Sequence, residues 1–208
     1  MGKNRKSKII AIGGVTGSGK SLLAKFLHNR FGSNKCVVIC QDNYYKGWLH
    51  LSRKRRKTIN FDEVRVFDLK LLGTHLKEIK AGNPISMPKY DFIESRRLKK
   101  ISKLLSKPIV IIEGLMPFIN KKLRRLLDLK IYIHADNSVC LARRIRRDIK
   151  ERGETIESVC YRYFNDVLPM QKKYVEPQKK WANVVVNGNQ KFSSKLINRL
   201  VRSIANTR

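Results

Sequence analysis

Short apolar runs alternate along the chain with longer segments of helical period. Lys8–Ile12 predicts a buried strand, and a glycine-rich turn follows over 13–19. Lys20–Phe31 has helical spacing, with Leu22, Leu23, Phe26 and Leu27 expected on its covered side and Gly32 as its stop. Val37–Cys40 predicts a second strand. Asp68–Lys80 places Leu69, Leu72, Leu76 and Ile79 on one helical face, with Gly82 beyond its end. Asn83–Arg97 carries Pro84 and Pro88 and reads as an extended or hairpin segment. Four predicted elements follow: a strand at Ile109–Ile112, a helix at Phe118–Leu127, a strand at Lys130–His134 and a strongly basic helix at Asn137–Glu151. Thr155–Tyr174 reads as a helix crossed by Pro169. Val184–Val186 is the last strand and Phe192–Ala205 the last helix. Apolar strands separated by helices predict an α/β fold with a mainly parallel sheet covered on both faces.

Composition narrows this picture. The 208 residues suit one domain, and a hydrophobic fraction of 42% separates the chain from a disordered polycation. The 46 Lys+Arg against 16 Asp+Glu leave a net charge of +30. Residues 1–60 hold 14 of the basic residues and a single acid, Asp42. Two basic runs stand out, Lys3–Lys8 at the N-terminus, overlapping a basic tail over 1–7, and Arg53–Lys57. They read as a solvated face, as a field concentrating anionic ligands, or as a nucleic-acid contact. No aromatic-plus-basic motif of an RNA-binding sheet accompanies them, so nucleic acid is the weakest of the three. No apolar run nears the ~18 residues of a membrane span, and no membrane partner is expected. The basic start lacks the apolar stretch of roughly 7–15 residues of a secretory signal, so the expected compartment is the cytoplasm. Cys36, Cys40, Cys140 and Cys160 have neither disulfide-scaffold nor zinc-site spacing and read as buried thiols.

The chemistry begins at Gly14-Val15-Thr16-Gly17-Ser18-Gly19-Lys20-Ser21, a match to G-x-x-x-x-G-K-[ST]. Glycines let successive N–H groups face one point, and the positive end of the following helix adds to the attraction for phosphate. Thus Gly14, Thr16, Gly17, Ser18, Gly19, Lys20 and Ser21 are candidate nucleotide-phosphate ligands. Lys20 is placed to reach the β- and γ-phosphates and the Ser21 hydroxyl to meet Mg²⁺. Asp42 follows the second strand and so points to the same sheet edge, where a carboxylate can take the proton of an attacking hydroxyl. Glu113 ends the 109–112 strand and is the second candidate Mg²⁺ ligand. Arg143-Arg144-Ile145-Arg146-Arg147, with Arg152 further on, offer guanidiniums for charge built up in phosphoryl transfer.

Further motifs stand in order along the chain. They are Gln41-Asp42-Asn43-Tyr44-Tyr45-Lys46, Asn60-Phe61-Asp62 with Phe67-Asp68, Met87-Pro88-Lys89-Tyr90-Asp91-Phe92, Ile112-Glu113-Gly114, Ala142–Asp148 with Glu151-Arg152-Gly153, and Trp181-Ala182-Asn183-Val184. Together with the phosphate loop they resemble the uridine–cytidine kinases of the uridine kinase and phosphoribulokinase group, over about Ile9 to Leu200. The resemblance implies a P-loop three-layer αβα sandwich, with a hairpin-like substrate insert near 83–97 and an arginine-bearing lid near 143–165. It implies ATP as donor, Mg²⁺ as cofactor and the 5′-hydroxyl of a pyrimidine nucleoside as acceptor. Carried over residue by residue, it makes Asp42, Lys20 and Arg147 catalytic. It likewise places Tyr45, Phe67, Asp68, Tyr90, Phe92, Arg144 and Arg152 at the nucleoside, with Asp68 holding ribose hydroxyls. The chain departs from the family pattern at Ser95, Glu154 and Arg162, on the acceptor side, and at Glu63-Val64. Glu154 and Arg162 are spaced for a compensating pair. These departures keep open a kinase of the same fold for another small hydroxyl acceptor, with a nucleotide-binding module that contacts nucleic acid as the third reading. The sequence leaves room for a homo-oligomer.

Overall fold

The computed structural model describes residues 7–207. Ser7 apart, the predicted basic tail lies outside the described residues. The chain runs β1 (Lys8–Gly14), α1 (Lys20–Phe31), β2 (Cys36–Cys40), α2 (Arg53–Lys57), α3 (Leu69–Lys80), β3 (Ile85–Asp91), β4 (Arg96–Leu104), β5 (Ile109–Gly114) and α4 (Lys121–Arg124). It continues through β6 (Leu129–His134), α5 (Asn137–Arg152), α6 (Ile156–Arg162), α7 (Leu168–Met170), β7 (Val184–Asn187) and α8 (Ser194–Asn206). Five strands pair in parallel in the order β2-β5-β1-β6-β7. Strands β3 and β4 form a separate antiparallel pair, so the 83–97 segment is a hairpin whose second strand runs on to Leu104.

Alternation along the central strands builds two cores. Ile9 and Ala11 of β1, with Val110 and Ile112 of β5, pack on one face with α3, Phe118 and Tyr132. Ile10, Ile12 and Ile111 pack on the other with Leu23 and Leu27 of α1 and Leu200 of α8. All of these are fully buried, and burying a side chain of this size stabilises by ~1.5–3 kcal/mol.

Several elements depart from expectation. In α1 the buried stripe is Leu23, Ala24 and Leu27, whereas Leu22 and Phe26 are exposed. The sheet covers one stripe only, and Phe26 is left edge-on against Phe192 at 6.5 Å. The predicted 118–127 helix shrinks to Lys121–Arg124, because the Asn120 side chain accepts from Leu123 N–H and starts the helix there. The 155–174 helix is continuous in path but changes register. Two π-turns, at Tyr163–Val167 and Gln171–Val175, precede Pro169 and Pro177. A proline ring obstructs the carbonyl four residues back, and Leu168 N–H instead donates to Tyr163, five back. Cys36 and Cys140 are buried as expected, but Cys40 and Cys160 are only half-buried, because they sit at the site edge and on a surface helix. The basic run 53–57 is a short helix docked on the hairpin: Arg53 pairs with Glu94 at 2.7 Å, and Arg56 donates to the Leu51 and Glu94 carbonyls.

Candidate active site

The phosphate loop links β1 to α1 at the carboxyl edge of the sheet. Gly17 has φ +73°, and a Cβ there would meet the Cys140 carbonyl of α5, so only glycine fits. Gly19 precedes α1 with no side-chain cap, which leaves the first-turn amides of α1 for an anion. Ser18 Oγ is buried with no partner, Thr16 is buried and Ser21 is exposed. Lys20 Nζ donates to the Val15 carbonyl at 2.7 Å. Desolvation lowers its pKa, against the opposing fields of Glu113 and Asp42.

The sheet register brings the two acids to this loop. Glu113 of β5 pairs in register with Ile12 of β1 on one side and Cys40 of β2 on the other. Asp42 lies two residues beyond Cys40, in a 3-10 turn over Gln41–Tyr44. The turn is pinned by the buried Gln41, whose side-chain oxygen accepts from Met116 N–H at 2.8 Å. Asp42 Oδ1 is buried without a hydrogen-bond partner. Burial, then the nearby Glu113 charge, raises its pKa from 3.8 to about 6, against the lowering fields of Lys20 and Arg152. The same burial, with the charges of Asp42 and Glu113 added, pushes the Cys40 thiol well up, so it stays protonated.

Beyond Asp42 opens a cavity of about 550 Å³. Tyr45, Phe61, Tyr90 and Phe92 form its aromatic side. Asp62, Ser95, Arg144, Arg152, Glu154, Tyr161, Arg162 and Asp166 supply polar groups. The rings are mutually packed: Tyr45 lies edge-on to Phe61 at 5.1 Å and to Tyr90 at 5.2 Å, and Tyr90 meets Phe92 at 5.4 Å. The Tyr90 hydroxyl is buried with no partner. Ser95, in the hairpin turn, has φ +50° and is buried. Arg162 does pair with Glu154, at 3.8 Å, and Ser158 Oγ donates to Glu154 at 2.7 Å.

Two predicted nucleoside contacts lie off the cavity lining. Phe67 stacks behind Tyr45 at 4.6 Å. Asp68 is the N-cap of α3: its Oδ1 accepts from Leu71 N–H at 3.0 Å and its Oδ2 from Arg97 at 3.3 Å. The cavity's own acid from this stretch is Asp62, which desolvation raises in pKa and the Arg144 charge lowers. A sequence signal for the distinction existed, since an Asp immediately before a helical repeat is an N-cap candidate.

The α5 arginines reach across both halves of the site. Arg143 donates to the carbonyls of Gly17, Gly188 and Asn189, tying the phosphate loop to the end of β7. Arg144 donates to Thr16 Oγ1 at 3.5 Å and also lines the cavity. Arg147 is off the lining, but its charge acts on Lys20 and Asp62.

The donors at the loop suit a hard divalent cation. The Ser21 hydroxyl, the buried Glu113 carboxylate and the unpartnered Asp42 Oδ1 are all oxygens. Among the described residues, no group of three or more His, Cys, Asp or Glu could hold a metal ion by itself. Mg²⁺ uses one or two protein oxygens and completes its shell with substrate phosphates and water. Among the described residues no helix is long and apolar enough to cross a membrane.

Residues 9–193 match the model of the phosphoribulokinase / uridine kinase family. A uridine kinase of Clostridium novyi (strain NT) is 44% identical over 178 residues, covering 86% of each chain. One of Clostridium perfringens (strain 13 / Type A) is 40% identical over 197 residues, covering 94% of this chain and 95% of the relative. Among solved structures, D-glycerate 3-kinase from Cryptococcus neoformans superposes with a TM-score of 0.66 at 17% identity, over 91% of this chain and 89% of that one. This last likeness shows the fold alone.

Proposed function

The chain belongs to the phosphoribulokinase / uridine kinase family, and from that premise we propose that it transfers the γ-phosphoryl group of ATP to the 5′-hydroxyl of uridine or cytidine. It is a phosphotransferase with a hydroxyl acceptor. The observation that carries the reading is the position of Asp42. Its buried, unpartnered oxygen stands between a phosphate loop and a cavity lined by aromatic rings.

In this reading the amides of the loop and first turn of α1, with Lys20, hold the β- and γ-phosphates. On arrival of phosphate, Lys20 exchanges the Val15 carbonyl for a charged partner, a stronger hydrogen bond. The nucleoside lies against Tyr45, Tyr90 and Phe92 with its ribose toward Asp62. Asp42 accepts the 5′-O–H proton as that oxygen bonds to the γ-phosphorus, and the bond from phosphorus to the β-bridging oxygen breaks to release ADP. Arg144, Arg147 and Arg152 carry compensating positive charge for the transferring group. Ser21 and Glu113, with Asp42 nearby, would hold Mg²⁺, whose contribution there is neutralisation of charge on the β- and γ-phosphate oxygens.

The pair Glu154–Arg162 favours a specific look at the acceptor. Glu154 and Arg162, paired on the cavity wall, present a carboxylate and a guanidinium to the acceptor. The test is ADP release with uridine, cytidine, purine nucleosides, D-glycerate and ribulose 5-phosphate. Pyrimidine nucleosides are expected to give the highest kcat/KM. A higher value for any other acceptor overturns the nucleoside assignment and leaves the kinase in place.

A further inference from the structure

The arginines of the site converge on one carboxylate. Asp148 of α5 is 3% exposed. Its Oδ2 lies 3.2 Å from Arg144 Nε, and its Oδ1 lies 2.8 Å from Arg147 Nε and 3.5 Å from Arg152 Nε. The sequence makes this possible, because positions four before and four after Asp148 share its helical face, and Arg147 reaches it from the adjacent position. The three guanidiniums then diverge. Arg144 extends to Thr16 of the phosphate loop, and Arg147 acts on Lys20 and Asp62. Arg152 lies over the Phe92 ring at 5.4 Å, and its charge acts on Asp42. One buried acid thus joins groups that serve the phosphate side and groups that serve the acceptor side.

Nothing about α5 itself calls for an acid here. Asp148 stands one turn from the negative end of the helix, where a carboxylate is disfavoured, and its side chain caps nothing. The helix end is closed instead by Gly153 in the left-handed region, through the Asp148 main-chain carbonyl, which any residue would supply. Burial of a carboxylate needs compensation, and three cations exceed it. The cluster keeps a net positive charge for a polyphosphate; Arg147 is hydrogen-bonded to Asp148, and Arg144 and Arg152 are paired with it by charge.

We propose that Asp148 is a positioning residue, which holds Arg144, Arg147 and Arg152 as one unit and so couples the geometry of the bound nucleotide to that of the acceptor. The proposal rests on the phosphotransfer reading but not on the identity of the acceptor. Phosphoryl transfer depends on placement of charge, and a displacement of about 1 Å can reduce rate on the order of 100-fold.

The test compares wild type with Asp148→Asn, which keeps shape and removes charge. Turnover is expected to fall on the order of 100-fold. The ATP dissociation constant by calorimetry is expected to stay level or tighten, because the site becomes more positive. A purely structural role would move both together, and a parallel loss of ATP affinity overturns the proposal, as does unchanged turnover. In a cycle with Arg147→Gln, the double variant is expected to lose little more than the worse single variant, and additive losses overturn the coupling. Asp148→Glu, which restores the charge, is expected to recover part of the turnover. If neither Asp148 variant folds, the residue serves the fold and the proposal falls. All ratios are read with whichever hydroxyl acceptor wild type turns over, so failure of uridine and cytidine ends the nucleoside assignment and leaves this comparison intact.

Discussion

The phosphate end and the acceptor end of the site are built in opposite ways. The phosphate end is one contiguous stretch, Gly14–Ser21, made largely of backbone between a buried strand and a helix start. The proposed acceptor end draws Asp42, Asp62, Tyr90, Arg152 and Glu154 from four separated segments, and it is built of side chains. A backbone site tolerates little change in its turn residues but needs no distant partner. A side-chain site depends on which residues the fold brings inward, and it can change specificity one residue at a time.

Substitution at the junction of the two ends is expected to have the largest effect. Asp42→Asn should lower turnover by roughly 10²–10⁴-fold, the range for loss of a general base, with ATP affinity retained in calorimetry. Retained turnover would remove the base assignment. The pKa of about 6 adds two consequences. As a base, Asp42 must be ionised, so kcat/KM for the acceptor should fall as pH drops below about 6. For stability the sign is opposite. A folded-state pKa above the ordinary 3.8 means that the contribution of Asp42 is fully present below pH 3.8 and is lost as pH rises through about 6. Asp42→Asn should therefore raise the melting midpoint at pH 8, by a margin that shrinks toward pH 4. A midpoint that falls at pH 8 would contradict the strained, desolvated carboxylate.

Next in size, Gly17→Ala probes the backbone end. Its Cβ would press on the Cys140 carbonyl in a left-handed conformation, a strain of about 1–3 kcal/mol. The expected result is lost ATP binding together with a lower melting midpoint; unchanged ATP affinity would show that the loop is not a rigid cradle. On the acceptor side, Asp62→Asn should raise the acceptor KM several-fold with the ATP KM unchanged. Asp68→Ala should leave the acceptor KM alone and cost about 1 kcal/mol of stability through the lost cap of α3. The reverse pattern would return the ribose role to Asp68. The smallest effect is expected for Glu154→Gln. It should change the uridine-to-cytidine ratio of kcat/KM by up to about tenfold with little change for ATP, and a constant ratio would exclude Glu154 from reading the base.

Much of this molecule was legible before folding. The five parallel strands, the hairpin near 83–97, the phosphate loop and the pairing of Glu154 with Arg162 all follow patterns of short range. The errors have physical sources. Leu22 and Phe26 satisfy helical period, yet a flat sheet covers only one stripe of α1. Pro169 was visible, but the shift to π-turns depends on where the helix must go to keep packing. Asp68, expected at the ribose from the family resemblance, caps α3 and pairs with Arg97 off the cavity lining, where Asp62 stands; which of two nearby acids faces a cavity depends on the packing of α3 and not on the motif.

Amino-acid order alone was enough for the strand and helix sequence and for the phosphate cradle, because a glycine turn, a strand and a helix start obey local steric and periodic rules. Folding alone decided which acids face the cavity and that the Asp42 oxygen is buried without a partner. Those properties depend on what lies beside a side chain, and its neighbours there come from segments up to a hundred residues away.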